Sequence, residues 1–188
     1  KGNSYGFVGP NGCGKSVFFK TLCGYSLLTE GQVIYRGKII GKEQDFIDDA
    51  GIVIEEPEFI NSLSGLENLK ILAEIQKKIS EAEIIEVLKQ FDLYEDRNKK
   101  VGKYSVGMKQ KLRLAQAVME KPQVLILDEP MNGLDKKSVK KVEDILKAFV
   151  ENGGTLLMTS HIEQQVEACC KIVYEIDGGE ILRVTVLQ

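Results

Sequence analysis

The segment Gly9-Pro10-Asn11-Gly12-Cys13-Gly14-Lys15-Ser16 constrains this chain more than any other part of it. It satisfies the pattern G-x-x-x-x-G-K-[ST] in full, and it lies in the context that gives the pattern meaning. The apolar run Ser4-Tyr5-Gly6-Phe7-Val8 precedes it and reads as a short strand, while Lys15 to Gly24 reads as a helix. Glycines let backbone N–H groups turn inward and approach phosphate oxygens without a Cβ clash. The helix that follows presents its N-terminus, the positive end of its dipole, to the same anion. The residues expected to bind the phosphates of a nucleotide are therefore Asn11, Gly12, Cys13, Gly14, Lys15 and Ser16. Lys15 reaches the β- and γ-phosphates, and the Ser16 hydroxyl ligates Mg²⁺.

A phosphate loop alone does not choose between kinases, GTPases, ATPases and motors. A second element narrows the choice. Val124-Leu125-Ile126-Leu127 is an unbroken apolar run, as expected of a strand buried on both faces of a parallel sheet, and it ends in Asp128-Glu129. Strand alternation puts these two carboxylates on opposite sides of the strand end. Asp128 then completes the Mg²⁺ site with Ser16, and Glu129 polarises the water that attacks the γ-phosphate. His161 follows Thr159-Ser160 at the end of a further predicted strand, Thr155 to Thr159. Loops at the carboxyl ends of parallel strands form the ligand crevice, so Lys15, Asp128, Glu129 and His161 are expected to converge there, with His161 in contact with the γ-phosphate as a second catalytic residue beside Glu129.

The remaining pattern supports an α/β fold. Strands are predicted at Gln32 to Tyr35 and Gly51 to Ile54, the latter running into the acidic turn Glu55-Glu56-Pro57. Helical periodicity runs from Ser64 to Phe91, Ser105 opens another helix, and Lys136 to Glu151 is helical. Ile172 to Ile176 and Glu180 to Val186, joined by Asp177-Gly178-Gly179, read as a hairpin. The chain thus reads as one domain with a mostly parallel sheet, a helical insertion at about 61–120 and a C-terminal hairpin. A strand that opens at residue 4 leads to the expectation that further N-terminal antiparallel strands are missing from this sequence.

With 188 residues, 43% hydrophobic and 28% charged, the chain is not a disordered tail, a fibre or a small disulfide scaffold. Its net charge of −3 argues against a nucleic-acid partner held by bulk charge. No apolar run approaches the roughly 18 to 20 residues that span a bilayer. Cys13, Cys23, Cys169 and Cys170 match no zinc or disulfide spacing and read as reduced thiols.

From about Gly2 to Ile181 the sequence resembles the ATP-binding subunits of the ABC transporter superfamily. Tyr104-Ser105-Val106-Gly107-Met108-Lys109-Gln110 stands where that family carries L-S-G-G-Q, Asn132-Gly133-Leu134-Asp135 resembles its D-loop, and His161 its switch histidine. The resemblance implies a RecA-like P-loop core at about 1–60 and 121–188, with the helical subdomain between. It also implies ATP hydrolysis with Mg²⁺, and an adenine-stacking aromatic upstream of the phosphate loop. A dimer is implied, homodimeric or with a second ATPase subunit, in which Ser105 and Gly107 meet the γ-phosphate held by the other chain's Lys15 and Asp135 lies near the seam. Membrane-spanning permease partners would hold the chain at the cytoplasmic face of the membrane.

Two departures stand out. The signature keeps Ser105 and Gly107 but reads Y-S-V-G-M, and Glu55 stands where the family usually has a glutamine that senses Mg²⁺ and the membrane partner. Both variants are similar to the drug- and antibiotic-exporting branch, including exporters of bacitracin and lantibiotics. The alternative is a soluble ABC ATPase acting on ribosomes or another macromolecule. The short interval between Lys15 and Ser105 excludes the coiled-coil chromosomal type.

Overall fold

The strand Val124–Leu127 shows how the core is divided. Leu125 and Leu127 enter one apolar cluster and Ile126 the other, all three nearly inaccessible, because successive side chains of a strand leave by opposite faces. A computed structural model describes residues 2–55 and 59–187. Of the predicted acidic turn, Glu55 is described, and Glu56 and Pro57 lie outside the described residues.

In chain order the elements are β1 (Ser4–Val8), α1 (Lys15–Cys23), β2 (Ile34–Tyr35), β3 (Lys38–Ile39) and β4 (Ala50–Val53). Then come α2 (Gly65–Gln76), α3 (Glu81–Gln90), a 3₁₀ turn at Val101–Lys103, and α4 (Val106–Val118). The chain continues with β5 (Val124–Leu127), α5 (Lys136–Glu151), β6 (Thr155–Thr159), α6 (Glu163–Cys169), β7 (Ile172–Asp177) and β8 (Glu180–Val186). The main sheet runs β4-β5-β6-β1-β7-β8 and is parallel except for the final β7–β8 hairpin. Register places Phe7 beside Thr159 and Leu127 beside Met158. The carboxyl ends of β1, β5 and β6 therefore lie side by side, and the segments that follow them share one rim of the sheet.

The sequence-based elements need three adjustments. The helical periodicity from Ser64 to Phe91 is two helices, α2 and α3. Lys77 turns left-handed and ends α2, and Ser80 caps α3 through a reciprocal box with Glu83, as Ser64 caps α2 with Glu67. The strand expected at Gln32 to Tyr35 shrinks to Ile34–Tyr35, which pairs with β3 in a separate two-stranded sheet. Helix α6, too short to show a period, was not predicted. It is held by Val166, which packs so closely on β1 that a Cβ on Gly6 would lie 1.9 Å from Val166 Cγ1. Among the described residues no helix is long and apolar enough to cross a membrane. All four cysteines are free and buried.

The helical segment between β4 and β5 is fastened to the sheet by close contact. Where α4 crosses β4, a Cβ on Gly51 would lie 2.0 Å from the Ala117 carbonyl oxygen, a backbone atom that cannot move aside cheaply. Gly51→Ala is therefore expected to lower unfolding stability by about 2 kcal/mol, the usual cost of forcing atoms into a filled core. Urea unfolding of the two proteins checks this, and equal midpoints would show that α4 does not rest on Gly51.

Candidate active site

The phosphate loop is built by glycines in the positions that need them. Gly14, the N-cap of α1, sits at φ 104° and Gly12 at φ 83°, a region that side-chain-bearing residues avoid. Gly9 is a matter of space: a Cβ there would meet the Ile176 carbonyl oxygen at 2.0 Å. The Gly179 N–H donates to the Cys13 carbonyl at 3.2 Å, so the turn of the C-terminal hairpin braces the loop from behind. Lys15 is buried, and its ammonium donates to the carbonyls of Gly9 at 2.7 Å and Pro10 at 3.1 Å. Asn11, Gly12, Gly14, Lys15 and Ser16 line a cleft of about 210 Å³ with Val17, Asp128 and Glu129. Cys13 does not line it. Its side chain is packed with Phe7 and Phe19, its N–H donates back to Pro10, and its contribution to the loop is a backbone one.

The acidic end of β5 faces this loop. The Asp128 carboxylate accepts from the Ser16 hydroxyl on Oδ2 and from the Thr159 hydroxyl on Oδ1, both at 2.5 Å. The same Thr159 oxygen accepts the Glu129 N–H at 2.9 Å. Asp128 and Glu129 meet different partners but line the same two clefts, so strand alternation does not describe how they are placed. The strand ends at Leu127, and Glu129 adopts a left-handed conformation at φ 50° that turns its side chain toward His161. Glu129 Oε2 lies 2.8 Å from His161 Nδ1. Lys15, Ser16, Asp128, Glu129 and His161 thus gather at the rim formed by β1, β5 and β6.

The donor set suits Mg²⁺. A hydroxyl and a carboxylate, Ser16 and Asp128, are hard oxygens already within bonding distance of each other. Mg²⁺ is commonly held by one or two such groups plus phosphate oxygens and water.

The other predicted residues are placed differently. Glu55 lines a neighbouring cleft of about 320 Å³ together with Ser16, Asp128, Glu129, Val106 and Gly133. Its own carboxylate is ion-paired with Lys20. Ser105 caps α4, accepting the Met108 N–H at 3.2 Å, and neither it nor Gly107 lines the Lys15 cleft. Asp135 caps α5, accepting from the Ser138 N–H at 2.9 Å and the Ser138 hydroxyl at 3.0 Å. The Ser138 amide, and after it the hydroxyl, hold the Asp135 carboxyl below its ordinary value.

Two polar residues of this region were not singled out from sequence. Thr159 is one. The other is Gln110, buried on α4, whose amide donates to the Pro130 carbonyl at 2.8 Å and so ties the helix to the turn after Glu129. Gln110 was detectable as a polar residue on the same helical stripe as Leu114 and Ala117.

Comparison with known proteins gives a consistent picture. A family model described as "ABC transporter" matches residues 1–132. The uncharacterized ABC transporter ATP-binding protein YybJ of Bacillus subtilis is 37% identical over 96% of this chain and 83% of its own length. The lantibiotic transport ATP-binding protein SrtF of Streptococcus pyogenes is 34% identical, over 97% of this chain and 78% of its own. The bacitracin transport ATP-binding protein BcrA of Enterococcus faecalis is also 34% identical over 97% of this chain, which spans only 60% of it. Among solved structures, the dimeric ATP-binding cassette MJ0796 bound to ADP and Pi superposes with a TM-score of 0.89 at 24% identity, covering 100% of this chain and 86% of that one.

The cap at Asp135 carries a pH dependence. Because its folded value is depressed below the ordinary 3.8, its stabilisation is present in full above that value. It is lost as pH falls through 3.8 toward the lower folded value. Melting temperatures of wild type and Asp135→Asn measured from pH 7 down to pH 3 should therefore draw together at the acid end. A difference that is constant with pH would show that the Asp135 charge does not serve this cap.

Proposed function

The chain belongs to the ABC transporter family of ATP-binding domains, and from that premise we propose that it hydrolyses ATP in the cleft between the phosphate loop and the β5 rim. The observation that carries this reading is the pair of contacts Ser16–Asp128 and Glu129–His161, which set a cation-binding pair beside a carboxylate held for proton transfer. The phosphates bind against the loop N–H groups and the N-terminus of α1, with Asn11 and Lys15 lining the cleft. Lys15 exchanges its Gly9 and Pro10 carbonyl partners for β- and γ-phosphate oxygens. Ser16 and Asp128 would hold Mg²⁺, which would supply charge neutralisation at the phosphates.

Glu129 Oε accepts the proton of the attacking water as its oxygen bonds to the γ-phosphorus and the bond to the β,γ-bridging oxygen breaks. His161 is the positioning partner. With its proton on Nδ1 it donates to Glu129 and keeps that carboxylate aimed. Glu55, just beyond the end of β4, lines the neighbouring cleft that shares Ser16, Asp128 and Glu129, and it reports occupancy of the site to the membrane partner.

The site is half of a pair in this reading. Ser105 and Gly107 lie at a helix N-terminus suited to an anion, yet outside the cleft of their own chain, and Val106 between them is 70% exposed. They act on the γ-phosphate held by a second ATPase subunit, with Asp135 beside the seam. Closure on ATP and opening after hydrolysis then move permease subunits at the membrane. The variants at Glu55 and Ser105–Met108, with relatives named for bacitracin and lantibiotic transport, support an exporter of peptide antibiotics.

Two substitutions separate binding from turnover. Lys15→Ala removes the charge facing the phosphates and should weaken ATP binding by roughly ten-fold or more in isothermal titration. Glu129→Gln keeps the shape but not the base, and should bind ATP normally while phosphate release falls by on the order of 10²-fold or more. Equal phosphate release by wild type and Glu129→Gln would remove Glu129 from the mechanism.

A further inference from the structure

We infer that Thr159 is a positioning residue for ATP hydrolysis, its single hydroxyl holding the Asp128 carboxylate and the Glu129 peptide in one fixed relation. The inference rests on the ATPase reading above and extends it to a residue that does not line the Lys15 cleft.

The geometry is specific. Thr159 is the last residue of β6 and is fully buried. It lies in register with Phe7 on β1, so its backbone is fixed by the neighbouring strand. A threonine hydroxyl has one proton to donate and lone pairs to accept with. Here the proton goes to Asp128 Oδ1 at 2.5 Å, and the Glu129 N–H is accepted at 2.9 Å. Asp128 accepts from Ser16 on its other oxygen, so the carboxylate is gripped from both sides and cannot rotate about its last bond without breaking a contact.

Glu129 needs such a restraint more than most residues do. It is a non-glycine residue held at φ 50°, a conformation that persists only when its surroundings over-determine it. Its N–H bond to Thr159 is one such determinant, and the Asn132 N–H on the Glu129 carbonyl, at 3.1 Å, is another. Losing the first frees the peptide that aims Glu129 at His161. One oxygen atom therefore sets the relation between the cation-binding carboxylate and the proton-accepting one. A hydroxyl that only filled a buried polar requirement would affect stability and leave the chemistry alone.

The test compares Thr159→Val, which keeps the branched shape and removes the hydroxyl, with Thr159→Ser, which keeps the hydroxyl and removes a methyl. Two quantities are measured on the whole chain: kcat and KM for ATP, and ATP affinity by titration calorimetry with and without Mg²⁺. Thr159→Val is expected to lower kcat about ten-fold, the scale of losing one or two buried hydrogen bonds, with KM changed less than about three-fold. The gain in ATP affinity that Mg²⁺ confers should shrink in the same variant, because Asp128 is no longer held. Thr159→Ser should restore most of both.

Wild-type kcat and wild-type Mg²⁺ enhancement in a folded Thr159→Val would overturn the inference. So would a Thr159→Ser as impaired as Thr159→Val, which would assign the effect to the methyl. If Thr159→Val does not fold, Thr159→Ser decides alone: kcat within about three-fold of wild type upholds the hydroxyl, and a ten-fold loss overturns it. Absence of phosphate release from wild type would instead refute the ATPase reading, and the Mg²⁺ enhancement of binding would still decide the role of Thr159.

Discussion

The Asp128 carboxylate is the interaction on which the rest of the site depends. It joins the first residue pair of α1, through Ser16, to the end of β6, through Thr159, while its own backbone N–H donates to the Val53 carbonyl at the end of β4 at 2.7 Å. Three separate parts of the sheet rim are thereby referred to one group. Two charge-assisted hydrogen bonds from hydroxyls hold this carboxylate in place. The same oxygens are the ones suited to Mg²⁺, so the site is arranged before any cation arrives.

Two further constraints connect this rim to the helical segment. The close crossing of α4 over β4 at Gly51 fixes the helix against the sheet, and the Gln110 amide fixes it to Pro130, one residue beyond Glu129. The Gly133 carbonyl lies 3.1 Å from where a Cβ of Gly107 would stand, so the N-terminal turn of α4 and the 132–135 loop are packed as one surface. Movement of Ser105 relative to Glu129 within one chain is correspondingly restricted.

Much of this was readable in the sequence because it depends on local chemistry. The phosphate loop declared itself through glycines at fixed spacing, and β5 through an apolar run that only a strand covered on both faces supports. The β6 boundaries, the α5 boundaries and the C-terminal hairpin followed from clear stops at Gly153-Gly154 and Asp177-Gly178-Gly179. Other parts depend on contacts between distant segments. Nothing near Thr159 announces that its hydroxyl meets Asp128, 31 positions away, and α6 is held by packing on Gly6 rather than by its own period. The break at Lys77 to Ser80 was legible in principle, since Ser80 and Glu83 form a capping box, but the apolar periodicity on either side obscured it. Glu129 shows the opposite failure. Alternation puts the two carboxylates on opposite sides of the strand end, whereas the left-handed turn at Glu129 leaves both lining the same clefts.

An ATPase site completed by a second subunit makes turnover depend on protein concentration. That dependence is tested most directly by measuring phosphate release from Mg·ATP per mole of chain over a wide range of protein concentration. The specific rate of release should rise with concentration and then level off as pairs form. Release at a specific rate independent of concentration down to the most dilute samples, or no release at any concentration, would contradict it.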